Sequence, residues 1–281
     1  MSGDPLALVA GIDRAITPSA APRSAIRSVV VPTEHGGWAL TLEPGLLGLL
    51  IAPSAAGACV ATAGVVAFAL RTPTKLWLVD RRRGRSLART TLARRVALVE
   101  IAVLLALVAT ALLSAGTAFW VPGVVAAPLI AVEAWYDVRS RSRRLVPELA
   151  GGVGVCSVVS MVVLAGGGSV RLAIAAWAIL AARIVTSIPH VRAQIARLHG
   201  DRPHSTTGRA ADGAALGLAL GAVALDGRLA LGALAIAVVV ALQRLSARRP
   251  VPRAVVLGVR QMGMGLGVVI ATAVGVLTTT S

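Results

Sequence analysis

Acidic side chains inside apolar stretches are the residues of this chain best suited to do chemistry. Glu43 lies in an apolar run and precedes Pro44 and Gly45, and Glu133 and Asp137 lie one helical turn apart near the end of another run. A charge in apolar surroundings is costly, so such groups usually have a partner or face a cavity. For Glu43 two interpretations stay open, a functional site or a protonated or hydrogen-bonded structural carboxyl. For Glu133 and Asp137 the alternative to a functional site is an ion pair with neighbouring arginines.

Polar side chains also cluster at the ends of the second and sixth apolar runs. They are Arg71, Lys75 and Asp80 at the second and Arg183, His190, Arg192 and Gln194 at the sixth, and Tyr136 lies between Glu133 and Asp137. Guanidinium, ammonium and amide groups that face one cytoplasmic cavity suit a phosphate or carboxylate head group. For Arg183 the alternative is a long side chain that simply extends to the surface.

The entry to the first apolar run carries a third group of candidates. Glu34 and His35 are adjacent and precede Trp38. Glu and His titrate on either side of neutrality, so the two could form a proton-transfer or ligand-binding pair. A Trp at this level is usually an interfacial anchor. All three residues join the candidate ligand-binding set.

Nine apolar runs must position these groups. They span 37–53, 55–77, 96–116, 118–136, 147–166, 171–189, 211–226, 229–245 and 256–278. Hydrophobic residues make up 56% of the chain and charged residues 14%, against about 25% charged in soluble domains. About 20 apolar residues cross a bilayer as a helix, and the runs lack the alternation of barrel strands. The sequence therefore predicts an all-α polytopic membrane protein with about nine transmembrane helices.

Basic residues define the predicted topology. All of the 28 lysines and arginines except Arg171 and Arg228 lie before the first run or around every second gap. The positive-inside rule then predicts a cytoplasmic N-terminus and an external C-terminus in the cell (inner) membrane. We expect residues 1–30 to form a loosely ordered cytoplasmic tail and residues 31–281 a single transmembrane domain.

We attribute the net charge of +16 to basic loops that lie at the membrane surface. Short basic loops beside apolar runs meet anionic lipid head groups, which are the expected partners. With two Phe and one Tyr the chain lacks stacking platforms, so no nucleic acid is expected. The two cysteines lie inside runs and predict no disulfide framework or metal site. The glycines inside two of the runs indicate close helix packing. They are Gly217, Gly221, Gly263, Gly265 and Gly267.

The first run carries a family signature. It consists of Pro32, Glu34, His35, Gly36 and Trp38, followed by Pro44 and Gly48. In these residues the chain resembles the YwiC-like membrane proteins, whose first helix opens with Pro-x-Glu-His-Gly-x-Trp. The resemblance covers about twenty residues and implies a membrane protein, with little about its chemistry.

A more distant resemblance is to the UbiA-type intramembrane prenyltransferases. It rests on nine helices, on the polar segments 71–89 and 183–209, and on the connection before Pro147 and Glu148. It implies a cytoplasm-facing cavity for an isoprenoid. That family holds magnesium diphosphate with two aspartate-rich motifs, where this chain offers only Asp80 and Asp201. No cofactor is therefore expected, and Mg²⁺ is not supported.

Three functions stay open at this point. The first is a cytoplasm-facing cavity that binds an amphipathic isoprenoid or quinone-like ligand without metal. The second is a proton-coupled transporter that uses Glu43 and His35. The third is a noncatalytic accessory protein. Turnover and oligomeric state are left open.

Overall fold

The computed structural model describes residues 35–84, 87–139, 144–201 and 205–279. The predicted tail over residues 1–30, Glu34 and the side chain of His35 lie outside the described part of the chain. Within it the secondary structure is helical, with no strand, which confirms the predicted fold class.

Nine α-helices make up the described ranges. In chain order they are α1 (His35–Ile51), α2 (Ala55–Arg82), α3 (Ala88–Ala115), α4 (Val121–Val138), α5 (Leu145–Ala165), α6 (Val170–Leu198), α7 (Ser205–Leu225), α8 (Ala230–Ala247) and α9 (Ala254–Thr278). A short 3₁₀ turn precedes α4 and another precedes α8. Eight of these helices are long and apolar enough to cross a membrane, while the apolar part of α1 is the shorter segment Gly37–Ile51.

Two helices end well past the apolar runs that predict them. α2 ends at Arg82, beyond the predicted residue 77, and α6 ends at Leu198, beyond 189. The polar residues past the apolar runs are good helix formers, so the helices continue. Gly84 and Gly200, with φ of 64° and 86°, follow the last turns in a left-handed conformation that favours glycine and end the helices there.

α6 is the central helix of the bundle and the most buried of the nine described helices, whereas α3 is the least buried. It packs against α5, α7, α8 and α9. α1 packs against α2, α5 and α9, and α3 packs against α2 as an antiparallel hairpin. The main apolar core includes Leu47, Val159 and Ile179, with a smaller core around Phe119.

Small residues let α5 approach its neighbours closely. A Cβ at Gly48 of α1 would lie 2.6 Å from Val162 Cβ, and one at Gly154 would lie 2.6 Å from Ile130 Cδ1. Real Cβ atoms essentially never come that close, so an alanine at Gly48 would force the helices apart, whereas one at Gly154 would require the end of the Ile130 side chain to move. In lipid, where apolar burial gives no driving force between helices, such close packing supplies much of the association energy.

Candidate functional site

The C-terminal half of α6 is the polar centre of the bundle. Arg183, Thr186, Ser187 and Gln194 are all buried there, while the N-terminal half of the helix is mainly Ala, Leu and Ile. Buried polar groups need partners in apolar surroundings. The partners of Arg183, Thr186 and Ser187 come from α1, α7, α8 and α9. A second group of charges involves α5, α2 and α4.

Arg183 forms an ion pair with Glu43 across α6 and α1. Arg183 Nε lies 2.8 Å from Glu43 Oε2, and the residues are 2% and 6% exposed. Arg183 Nη2 donates a 2.8 Å hydrogen bond to the backbone carbonyl oxygen of Gln261 on α9. The second carboxylate oxygen, Glu43 Oε1, is buried and has no hydrogen-bond partner among the described residues. A Cβ at Gly265 of α9 would overlap both this oxygen and the guanidinium.

A buried polar network continues from α6 to α7, α8 and α9. Thr186 Oγ1 lies 2.6 Å from Asp212 Oδ1 and 2.9 Å from Gln243 Oε1. Gln243 Nε2 donates to Ser187 Oγ at 3.1 Å and to Gln261 Oε1 at 3.5 Å. One hydroxyl proton cannot serve two acceptors, so Thr186 donates to only one of Asp212 and Gln243 at a time.

The network reaches the protein surface at Arg244. Its guanidinium pairs with Asp212 Oδ2, and about half of the Arg244 side chain is exposed. Sequence reasoning missed Asp212, Gln243 and Gln261. The available signal was their position: each is a polar residue near the end of an apolar run that borders a basic gap.

Two further sequence candidates on α6 lie beside this network. His190 Nε2 lies 3.4 Å from Ser246 Oγ of α8. Gln194 Oε1 accepts a hydrogen bond from Arg197, whose guanidinium also donates to the carbonyls of Ala247 and Arg249. These bonds hold the end of α6 against the α8–α9 connection.

The second group is an ion-pair cluster between α2 and α4. Arg71 Nη1 lies 3.0 Å from Glu133 Oε1, and Arg71 also pairs with Asp137. Lys75 Nζ lies 3.4 Å from Asp137 Oδ1. Both helices present their two charges at a spacing of four residues, so each pair shares one helix face. Tyr136, between the two carboxylates, is partly buried.

α5 joins this cluster to α6. Arg192 Nη1 lies 2.9 Å from Glu148 Oε2, and a Cβ at Gly151 would overlap the Glu133 carboxylate. We call these six side chains the ion-pair cluster. Its three cations are Arg71, Lys75 and Arg192, and its three carboxylates are Glu133, Asp137 and Glu148. Its formal charge is balanced. The partners found for the α4 carboxylates among the described residues are Arg71 and Lys75 of α2.

Asp80 and Trp38 lie in other contacts. Asp80 accepts a 2.7 Å hydrogen bond from Thr90 and pairs with Arg89, which fastens the α2–α3 hairpin. Trp38 packs edge-on against Phe68 of α2 with ring centroids 5.1 Å apart. Among the described residues, no group of three or more His, Cys, Asp or Glu side chains has a metal-binding arrangement. The carboxylates that a magnesium diphosphate site needs do not converge there, and the expectation of no cofactor stays a prediction.

The long apolar helices of the bundle define a multi-pass membrane protein. Residues 31–164 match the family model of the YwiC-like proteins, so over this segment the predicted resemblance is confirmed. The match covers just under half of the chain, includes Glu43, Arg71 and Glu133, and ends before α6. Comparison with curated proteins and with solved structures gave no match. The UbiA-type resemblance accordingly stays a prediction.

Proposed function

We propose that this protein resides in the bacterial cell (inner) membrane and binds an amphipathic isoprenoid or quinone-like molecule from the cytoplasmic side. In this proposal the head group contacts the ion-pair cluster and the apolar tail lies against the helices below it. The observation that carries the proposal is the cluster itself. It holds six charged side chains at the polar ends of four helices, directly beside an apolar bundle.

The charge balance of the cluster favours one kind of head group. Each cation already has a carboxylate partner, so a diphosphate would have to displace Glu133 or Glu148 from its arginine. A neutral head with carbonyl or hydroxyl groups needs no such displacement, because partly exposed guanidinium and carboxylate groups retain donors and acceptors for it. A quinone-like head is therefore preferred over a diphosphate.

Arg192 offers the sharpest test of this site, since its side chain is 38% exposed and its loss leaves the buried core intact. We expect Arg192→Ala to lower at least about tenfold the affinity for a short-chain quinone, measured as thermal stabilisation of the detergent-solubilised protein. The matched control is Arg94→Ala, an exposed arginine on α3. Equal stabilisation of both variants and the wild type would remove the cluster as the site. Arg183 is less suitable, because breaking its buried pair alters folding.

A proton-coupled transporter is the second candidate, and the ion pair between Glu43 and Arg183 favours it. Ionisable groups inside a membrane protein commonly mark ion or substrate pathways. For this function we expect Glu43→Gln to abolish the pH dependence of uptake of the stabilising quinone by proteoliposomes, and Glu100→Gln on α3 to retain it. Unchanged uptake in Glu43→Gln would exclude Glu43 from coupling. If the protein neither binds nor takes up the quinone, the remaining hypothesis is a noncatalytic accessory protein.

A further inference from the structure

In the ion pair between Glu43 and Arg183, one of the two carboxylate oxygens of Glu43 lacks a hydrogen-bond donor among the described residues. Oε2 lies beside the guanidinium, while Oε1 has no hydrogen-bond partner among the described residues. A buried carboxylate oxygen without a donor loses its hydration and gains nothing in return, so it requires an explanation. The residue lies about two turns inside α1 and is followed by Pro44.

The space at Oε1 limits what could bind there. The backbone of Gly265 lies so close that even a methyl group at that position would overlap the oxygen. A metal ion is also disfavoured, because the adjacent guanidinium carries a permanent positive charge. A proton is the ligand that needs neither extra space nor a second anion.

We propose that Glu43 is a proton-binding site within the membrane, with Arg183 as its fixed counter-charge. A proton delivered as hydronium from the cytoplasmic side forms an O–H bond at Oε1, and the O–H bond of the hydronium breaks to leave water. Arginine stays protonated in proteins, so the pair changes from neutral to a net charge of plus one. The site is separate from the ion-pair cluster and does not depend on ligand binding there.

A series of polar groups links the pair to the cytoplasmic surface. It begins at half-exposed Arg244, which pairs with Asp212, and continues through Thr186 to Gln243. Gln243 contacts the side chain of Gln261, and the backbone carbonyl of Gln261 accepts the hydrogen bond from Arg183. Neighbouring polar groups of this kind lower the cost of bringing a proton to a buried site.

The other elements packed against Glu43 bring few titratable groups. α5 contributes the buried Cys156, which lies within electrostatic range of both Glu43 and Arg183. On α2, Lys75 pairs with Asp137 of α4 and Asp80 pairs with Arg89 of α3, so neither charge is directed to Glu43. On α9, Arg260 is exposed. Arg183 is thus the charge that governs proton binding at Glu43.

Protonation would weaken the contact between α1 and α6 at a point where α1 is already interrupted. Pro44 has no N–H, so the carbonyl of Leu40 lacks its usual helical donor. Loss of the attraction to Arg183 therefore acts on a helix that can bend locally at this position.

Infrared difference spectroscopy of the full-length protein in lipid nanodiscs tests the proposal directly. The carbonyl stretch of a protonated carboxyl is distinct from the amide bands and follows the pH from about 9 to about 4. We expect a reversible band that Glu43→Gln loses and Glu100→Gln retains. A Glu43 band that never appears, or one that stays constant over the whole range, would overturn the proposal.

A glycine pair on α9 provides a second test that leaves Glu43 in place. Gly265→Ala puts a Cβ against Oε1 and the guanidinium, so the midpoint of the Glu43 band should shift by about one pH unit or more. The matched control is Gly263→Ala, whose Cβ meets no atom within 4 Å and should leave the midpoint unchanged. An unchanged midpoint in Gly265→Ala would contradict the placement of the proton at Oε1.

Discussion

At the residue scale, each buried carboxylate in the polar half has a cation or hydroxyl from another helix. Asp137 has Arg71 and Lys75, Asp80 has Thr90, and Glu43 has Arg183. Desolvating a charge costs several kcal/mol, so removing one partner is far more harmful than removing both. Polar substitutions here should therefore behave as coupled pairs.

The first prediction concerns Arg183→Met, which leaves Glu43 buried without a counter-charge. We expect the free energy of unfolding in detergent to fall by about 3–5 kcal/mol, measured with denaturant. The double variant Glu43→Gln with Arg183→Met should recover much of this loss. The exposed Arg94→Met serves as the control, and a single-variant effect no larger than the control's would show that the pair is not energetically important.

The second prediction concerns Asp226, which lies in the connection between α7 and α8. Hydrogen bonds from the Arg228 side chain hold the pKa of Asp226 below its usual value. A carboxyl with a lowered folded-state pKa stabilises the fold above its unfolded pKa of about 3.9, and the effect is lost as the pH falls through the folded pKa.

Asp226→Asn should accordingly lower the Tm at neutral pH, with a difference from wild type that disappears in acid. The measurement is thermal unfolding of both proteins over a pH series, with the exposed Asp201→Asn as control. A difference that persists unchanged below about pH 2 would point to a steric effect of the substitution instead.

At the element scale, the contacts of α1 with α5 depend on glycine. Gly48→Ala would bring a Cβ to 2.7 Å from Val162 Cγ1, and the two helices would have to separate. The third prediction is a loss of about 1–3 kcal/mol in unfolding free energy, measured with denaturant in detergent. Gly217→Ala is the matched control, because its Cβ meets no atom within 4 Å and improves helix propensity by up to about 1 kcal/mol. Equal losses in both variants would contradict the packing account.

The sequence predicted the helices better than their contacts. Apolar runs and basic gaps located nine helices, because lipid requires each run to satisfy its own backbone. Helix ends differed where Gly84 and Gly200, rather than the end of an apolar run, stop the helix. The packing interpretation of the glycines holds for Gly265 alone among the five predicted positions, since the others meet no atom within 4 Å.

The partners of the polar candidates could not be predicted in the same way. Glu43 and Arg183 were each singled out, yet their pairing depends on how α1 packs beside α6, which one-dimensional periodicity does not specify. Charge spacing did place Glu133 and Asp137 on one face, as the structure confirms, and left their partner helix open. Polar network members such as Gln243 carry no charge pattern and were missed.

At the scale of the whole molecule, the fourth prediction concerns topology. Nine membrane-crossing helices together with the basic gaps predict a cytoplasmic α2–α3 connection and an external C-terminal end. A reporter inserted beside Gly84 should be active in the cytoplasm, and one fused after Ser281 should be active outside. Cytoplasmic activity of the fusion after Ser281 would contradict the nine-span topology, whatever the function of the site.

The central claim is that the ion-pair cluster binds an amphipathic, quinone-like molecule without metal. The most direct measurement is equilibrium binding of labelled quinones and isoprenyl diphosphates to the purified protein, with and without Mg²⁺, scoring bound ligand and product. We predict Mg²⁺-independent quinone binding that Arg192→Ala weakens about tenfold or more. Absence of binding to every compound, or a product that forms only with Mg²⁺, would contradict it.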